Sequence, residues 1–298
     1  MPSVHESPAG APPMKVVVFG NDYQQASCHE ISRLFSHLRS LGAATAVEAA
    51  FLRYLSGIGV DTDGLRRVAS SRVVEADLAL SLGGDGTFLT TVMWLAQTNI
   101  PVMGINTGHL GYLTACNLAE APEAIDDWRA GRCRVELRSM LSVKCKGVKI
   151  KHPLALNDIA ILRQDTSSMI ELETTLDGCP LTTYKGDGLV VCTPTGSTAY
   201  NLSAGGPILE PATRCMAISP LSPHSLTMRP LVVPDTATIS IVVHTRADFF
   251  QVSVDGEAFV CPSGTRVDIS CAPTAVRVVQ RAGHNFAATL RGKLHWGE

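Results

Sequence analysis

No run of 18 consecutive apolar residues occurs in this 298-residue chain, so no membrane-spanning helix is expected. Nine cysteines stand singly, with no Cys-x-x-Cys pair and an odd total, which argues against a disulfide framework and for reduced thiols in the cytoplasm. None of the nine histidines stands in a His-Glu-x-x-His spacing, and no Cys/His cluster suggests zinc, so no dedicated metal cage is encoded. An excess charge of either sign is also missing. A net charge of −2 offers no general attraction to nucleic acid or an anionic membrane, so the partner is expected to be small. Internal repeats and coiled-coil heptads are absent, and residues 1–13, rich in Pro, Ser and Ala, lack the basic start and apolar core of a signal peptide. They are expected to form a flexible leader.

What is present describes a globular protein. Hydrophobic residues make up 45% and charged residues 17%, and the length accommodates about two domains. The β-branched run Lys15 to Phe19 ends at Gly20-Asn21-Asp22 and precedes a helical pattern from Gln25 to Leu41. Ala76 to Leu82 and Phe88 to Gln97 repeat the pattern, followed by a strand at Val102 to Ile105 and a helix over Ala121 to Arg129. Such alternation predicts a parallel α/β sheet over 14–130. Beyond it the texture changes to β-rich runs: Arg134 to Cys145, Ile159 to Arg163, Met169 to Leu176, Gly188 to Cys192, Thr238 to His244, Phe250 to Val254 and Val267 to Cys271. Turn pairs such as Asp177-Gly178 and Asp255-Gly256 separate them, so a mostly β domain is expected over 131–272. His284 to Trp296 reads as a short amphipathic helix.

The most informative local feature is Gly83-Gly84-Asp85-Gly86-Thr87, between the apolar run ending at Leu82 and the helical pattern starting at Phe88. Glycines on a strand-to-helix turn admit positive φ and close approach to the backbone, and the helix start offers unpaired N–H groups. That suits phosphate. Asp85 would repel an anion unless a proton or a cation lies between them, so it is either a general base, a metal contact, or a cap of a helix beginning near Thr87. No Lys or Arg occurs between Arg72 and Arg129. Phosphate charge at this loop must therefore be met by backbone N–H groups, a divalent cation, or sequence-distant groups such as Lys185, Arg229, Arg291 and Lys293.

A second motif runs from Gly186-Asp187-Gly188 through Thr193-Pro194-Thr195-Gly196-Ser197-Thr198-Ala199-Tyr200 to Ser203-Ala204-Gly205-Gly206-Pro207. Its hydroxyls either cap a helix or bind ribose and phosphate oxygens, and Tyr200 offers a flat face to a base. Ser197 sits in Gly-Ser-Thr-Ala and lacks the Gly-x-Ser-x-Gly elbow of a serine nucleophile.

Together with Asn106-Thr107-Gly108-His109-Leu110-Gly111-Tyr112-Leu113, Asn157-Asp158, Pro223-His224-Ser225-Leu226, Arg229-Pro230 and the ending Leu290 to Trp296, these motifs closely resemble the NAD kinase family, from about residue 15 onward. The Gly-Gly-Asp-Gly element alone is shared with diacylglycerol and sphingosine kinases and with phosphofructokinases. The resemblance implies a Rossmann-like α/β N-terminal domain, a β-rich C-terminal domain with NAD in the cleft between them, and a C-terminal segment, 273–298, returning to the first domain. It also implies transfer of phosphate from ATP, or polyphosphate, to the 2′-hydroxyl of the adenosine ribose of NAD, with Mg²⁺ or Mn²⁺ present, and a homodimer or homotetramer.

Carried over residue by residue, the resemblance makes Asp85 the catalytic base and places Gly86 against NAD, with Gly83, Gly84, Gly86 and Thr87 as the phosphate-donor loop. Asn157 and Asp158 match the pair on the adenosine side of NAD; as residues alone they equally describe a strand-end turn. Asp187, Thr198, Ala199, Tyr200 and Ser203 match dinucleotide contacts, and Ser168, Lys185 and Glu257 occupy positions that tend to touch the ligand. Glu257 departs from the Gln often found there, and either faces the cationic nicotinamide or lies on a solvated hairpin. Arg229 either meets phosphate or bonds carbonyls beneath its Arg-Pro turn, and His224 reads as a structural histidine. The competing readings are a lipid kinase, which would not call for the hydroxyl-rich run, and a catalytically silent dinucleotide-binding protein.

Overall fold

A computed structural model describes residues 12–22, 28–69, 75–108, 111–164, 169–283 and 285–297. The chain divides into two compact units, the first made of Met1–Trp94, Ile100–Val135 and Val279–His284, the second of Leu95–Asn99, Glu136–Val278 and Asn285–Glu298.

In chain order the first unit holds β1 (Lys15–Gly20), α1 (Cys28–Ser40), β2 (Ala44–Glu48), α2 (Ala49–Gly57), β3 (Arg66–Val68), β4 (Leu78–Leu82), α3 (Asp85–Leu95), β5 (Val102–Asn106), β6 (Cys116–Asn117) and α4 (Ala121–Arg129). The strands are parallel in the order β5-β4-β1-β2-β3, with β6 beside β5. β1, β4 and β5 read as continuous apolar runs because both faces are covered; Val16, Val17, Val18, Leu78, Ala79 and Leu80 are all buried. Helix α1 buries Ile31, Leu34, Phe35 and Leu38, one helical face, among the same core residues.

The chain winds from β1 outward to β2 and β3, then crosses back to β4 on the other side of β1. Adjacent parallel strands whose connections diverge leave a crevice at their carboxyl ends, where open α/β sheets bind ligands. Here those ends carry Asn21 after β1 and the Gly83–Thr87 loop after β4.

The second unit holds β7 (Arg134–Cys145) from Glu136 on, β8 (Leu154–Ala155), β9 (Asp158–Arg163), β10 (Ile170–Leu176), β11 (Cys179–Gly186), β12 (Gly188–Cys192), α5 (Tyr200–Ser203), β13 (Cys215–Leu221), β14 (Leu231–Pro234), β15 (Thr238–His244), β16 (Phe249–Val254), β17 (Glu257–Pro262), β18 (Arg266–Gln280) up to Val278, and α6 (Phe286–Leu294). One antiparallel set runs β11-β10-β15-β18 with β7 on β18, and a six-stranded sheet runs β14-β13-β12-β9-β16-β17. Leu172, Ile239, Ile241 and Ile269 of the first set share a core with Ile161, Val191, Ile218 and Val252 of the six-stranded sheet. Alternating residues from both inner faces fill it, as in a sandwich.

The α/β N-terminal unit and mostly β C-terminal unit are those expected, with two differences. β2, α2 and β3 were not anticipated. Helix α3 begins at Asp85 rather than near Thr87, so Asp85 lies inside the first turn and is not a cap. Within the first unit Arg281 reaches Asp127 at 3.0 Å and Glu123 at 3.2 Å. Hydrogen bonds from Arg132 and Arg281 hold the Asp127 carboxyl below the usual range.

Candidate active site

In the first unit the glycine loop is built unevenly. Gly83 has φ +149°, and a Cβ there would lie 2.3 Å from Thr87 Oγ1, so glycine is required for both conformation and space. Gly84 and Gly86 do not share that constraint: their φ values lie outside the positive region, and a Cβ on either would meet nothing within 4 Å beyond its own chain neighbours and the adjoining helix backbone. Their bare backbone faces open space. Of the two uses expected of the glycines, positive φ falls to Gly83, and Gly84 and Gly86 leave the backbone open to close approach. Gly83→Ala is expected to cost about 1–3 kcal/mol of stability, whereas Gly84→Ala stays within about 1 kcal/mol of wild type yet lowers kcat/KM for the phosphate donor. Urea unfolding with steady-state kinetics reads both; a fully active Gly84→Ala would contradict the role of that open face.

Asp85 is held from a loop 27 residues away. Tyr112 N–H donates to Oδ2 at 2.8 Å and Leu113 N–H to Oδ1 at 3.0 Å, so the carboxylate plane is fixed by two backbone donors. A side chain at Gly111 would start 2.0 Å from Oδ1, and one at Gly104 would start 2.8 Å from the Leu113 carbonyl. Both positions must be bare for the loop to reach Asp85. Burial and the charge of Asp85 push the Tyr112 phenol up from its ordinary value. Thr87 Oγ1 accepts a 2.7 Å bond from Asn21 Nδ2, which ties the ends of β1 and β4 together. Asn21 and the 112–113 amides were not singled out from sequence; the Gly20-Asn21-Asp22 turn was the available signal for the first. His109 and Leu110 lie outside the described residues, as does Ser168.

In the second unit, Asn157 is half-exposed and Asp158 buried at the junction of β8 and β9. Thr193 donates through its N–H to the Asn157 carbonyl at 2.9 Å and through Oγ1 to the Leu156 carbonyl at 2.5 Å. Burial and the Asp255 carboxylate push Asp158 up to about 7, partly offset by a hydrogen bond from Tyr200 N–H. The folded state therefore keeps a proton on Asp158 at pH values where the unfolded chain has released it. That contribution to stability is full below about pH 4 and is lost as pH rises to about 7, by on the order of a few kcal/mol. Urea midpoints between pH 5 and 8 should fall in wild type and flatten in Asp158→Asn; equal slopes would refute the assignment.

The hydroxyl run is mostly scaffold. Thr193, Thr195 and Ser197 are buried, Gly196 N–H donates to Thr193 Oγ1 at 3.0 Å, and Ser197 Oγ bonds the Pro194 carbonyl at 2.7 Å and accepts from Leu209 N–H at 2.9 Å. These hydroxyls are engaged inside the turn, so for Thr193, Thr195 and Ser197 the structure favours the capping alternative over contact with ribose or phosphate. Asn201, also wholly buried, takes Ser219 Oγ at 2.6 Å and donates to the Pro207 carbonyl at 3.0 Å. Of the motif residues matched to dinucleotide contacts, Thr198 and Ala199 are half-buried and Tyr200 and Ser203 are exposed, Tyr200 at 41%. The expected helix after the turn is one turn long, Tyr200–Ser203.

Asp187 pairs with Arg163 at 2.9 Å and Lys185 with Glu171 at 2.8 Å. Both pairs stand beside a cavity of about 570 Å³ that Arg163, Glu171, Asp187, His224, His244 and Arg246 help to line. Arg229 donates to the Leu226 and Met228 carbonyls at 2.8 and 2.7 Å, the structural one of its two alternatives. Glu257 is exposed at the start of β17, on the hairpin. Among the described residues no group of three or more His, Cys, Asp or Glu could hold a metal ion.

Comparison with known proteins establishes the family. Residues 27–133 match the family model of the ATP-NAD kinase N-terminal domain, and residues 156–281 that of the ATP-NAD kinase C-terminal domain. The NAD kinase of Bacteroides fragilis is 41% identical over 288 residues, covering 95% of this chain and 98% of that protein. The NAD kinase of Porphyromonas gingivalis is 38% identical over 284 residues, covering 95% and 98%. Among solved structures, yeast NADH kinase complexed with NADH superposes with a TM-score of 0.86 at 24% identity, covering 97% of this chain and 89% of that one, which shows the shared fold. With both halves of the chain matched in order and close relatives aligned almost end to end, the chain belongs to the ATP-NAD kinase family.

Proposed function

We infer that this chain transfers a phosphoryl group from ATP to NAD, giving NADP, with the 2′-hydroxyl of the adenosine ribose as acceptor. The observation that carries the reading is the Asp85 carboxylate, fixed by two backbone N–H groups on a loop whose Gly84 and Gly86 faces are open. Phosphoryl transfer proceeds through a loose transition state, so the acceptor needs orientation and late proton removal more than a strong base. In the step, the hydroxyl oxygen bonds to the γ-phosphorus, the bond from that phosphorus to the β–γ bridging oxygen breaks, ADP leaves, and Asp85 receives the proton.

Gly83, Gly84, Gly86 and Thr87 form the donor loop, and Asn157, Asp158, Tyr200 and the outward groups around it hold the dinucleotide. Lys185, Asp187 and Glu257 are assigned to the same ligand's periphery. A divalent cation on the triphosphate neutralises charge that this segment, without Lys or Arg from 73 to 128, cannot meet with side chains. Chelation by excess EDTA is expected to abolish turnover and Mg²⁺ or Mn²⁺ to restore it; full activity in chelator would defeat that role.

A coupled NADP-formation assay, with ATP and polyphosphate compared as donors, tests the function. Binding of NAD without NADP formation across donors and metals would favour a silent dinucleotide-binding protein, and phosphorylation of diacylglycerol in place of NAD a lipid kinase. No described helix is long and apolar enough to cross a membrane. A cytoplasmic homodimer or homotetramer that binds neither nucleic acid nor membrane is the accompanying proposal, read by light scattering.

A further inference from the structure

Asp255 sits at the tip of the β16–β17 hairpin, where Asp255 and Gly256 have φ of +46° and +89°, a two-residue turn of the mirror-image kind. For turn formation alone Asn or Gly serves as well, and the side chain would face water. Here it turns inward. Oδ2 accepts from Leu156 N–H at 2.7 Å, and Oδ1 accepts from Asn157 N–H at 2.8 Å and Asp158 N–H at 3.0 Å. The Asp255 N–H in turn donates to the Asp158 carbonyl at 3.0 Å.

Three successive N–H groups converging on one carboxylate make an anion nest filled by the protein's own side chain. On the opposite side Thr193 takes the Leu156 and Asn157 carbonyls. The backbone of Asn157 is therefore committed on both its N–H and its C=O, which leaves its amide side chain as the group available to a ligand. Burial raises the Asp255 carboxyl above its ordinary range and the three backbone bonds oppose that shift. A carboxylate kept in such a place has a task beyond the turn.

We propose that Asp255 is the positioning residue for dinucleotide recognition, clamping the Leu156–Asp158 backbone so that the Asn157 side chain is presented in one orientation. It acts through Asn157 and Asp158 and does not itself take part in the chemistry. The proposal rests on the NAD kinase reading, so wild-type NADP formation is measured first; its absence would sink that reading, whereas the Asp255 variants test the clamp alone.

Asp255→Gly keeps the positive φ and removes every acceptor. Asp255→Asn tolerates the same φ and retains one oxygen for the Asn157 and Asp158 N–H groups. The Gly variant is expected to raise KM for NAD by about tenfold or more while kcat and KM for ATP change by less than about threefold. The Asn variant should return KM for NAD to within about threefold of wild type. Hydrogen exchange should accelerate at the Leu156, Asn157 and Asp158 amides in the Gly variant and remain protected along β12. A folded Gly variant with KM for NAD within about twofold of wild type would overturn the proposal. So would an Asn variant as impaired as the Gly variant, because the charge itself would then be acting on the ligand. If Asp255→Gly does not fold, Asp255→Asn decides alone: loss of kcat with unchanged KM for NAD contradicts positioning.

Discussion

Asp85→Asn is expected to lower kcat by about 10²–10⁴-fold, the usual contribution of a positioned general base. The substitution removes the proton acceptor and keeps the shape. One oxygen can still accept from either Tyr112 or Leu113 N–H, while the amide group meets the other donor face to face. KM for NAD should therefore move less than kcat, and the unfolding midpoint should drop only modestly. That pattern separates a chemical role from a scaffolding one. If Asp85 only braced the 112–113 loop, stability would fall while turnover per folded molecule persisted. Near-normal kcat in a folded Asp85→Asn protein would overturn the assignment of the base.

Gly196→Ala carries the second large effect, on stability and on dinucleotide binding together. A Cβ at this position would lie 2.0 Å from the Asn157 carbonyl oxygen, 2.4 Å from its carbon and 2.6 Å from the Asn157 Cα. These are backbone atoms that cannot rotate aside, and Thr193 and Asp255 pin them from both sides. Overpacking against side chains costs about 1–3 kcal/mol, so a clash with fixed backbone should reach about 3 kcal/mol or more. Molecules that fold must displace Asn157, and their KM for NAD should rise with kcat less affected. Urea unfolding and NADP-formation kinetics check both parts; native stability with unchanged KM would show that the turn and Asn157 are not in register as described.

Much of this was legible beforehand, for identifiable reasons. β1, β4 and β5 are apolar over most of their length because both faces of the sheet are covered, the buried Ser81 being hydrogen-bonded by Thr91, so their cores were found within about two residues. Helix α4 shows three buried residues, Ala121, Ala124 and Ile125, at helical spacing, and its bounds were anticipated. β2 and β3 were missed because they are short: β3 is three mostly exposed residues, and the buried run Thr45-Ala46-Val47 of β2 is too brief to set a period. The donor loop stood out because a strand, three glycines and a helix are contiguous. Asp255 did not, since its partners lie 97 to 99 residues away and an Asp-Gly pair satisfies the hairpin by itself.

By itself, the sequence determined the two-unit organisation, the position of the glycine loop and the residues that carry the family's motifs, because these depend on local conformation and on the order of side chains along the chain. Only the tertiary structure decided what each polar group is for. Thr193, Thr195 and Ser197 look the same in sequence as Thr198, yet the first three are buried in the turn and the last is half-exposed. From its local sequence Asp85 could be a base, a metal contact or a helix cap, and the structure shows its carboxylate accepting the amides of Tyr112 and Leu113. A hydrogen bond has no sequence signature when its partners are brought together only by packing, and a buried polar group must find one wherever the fold places it.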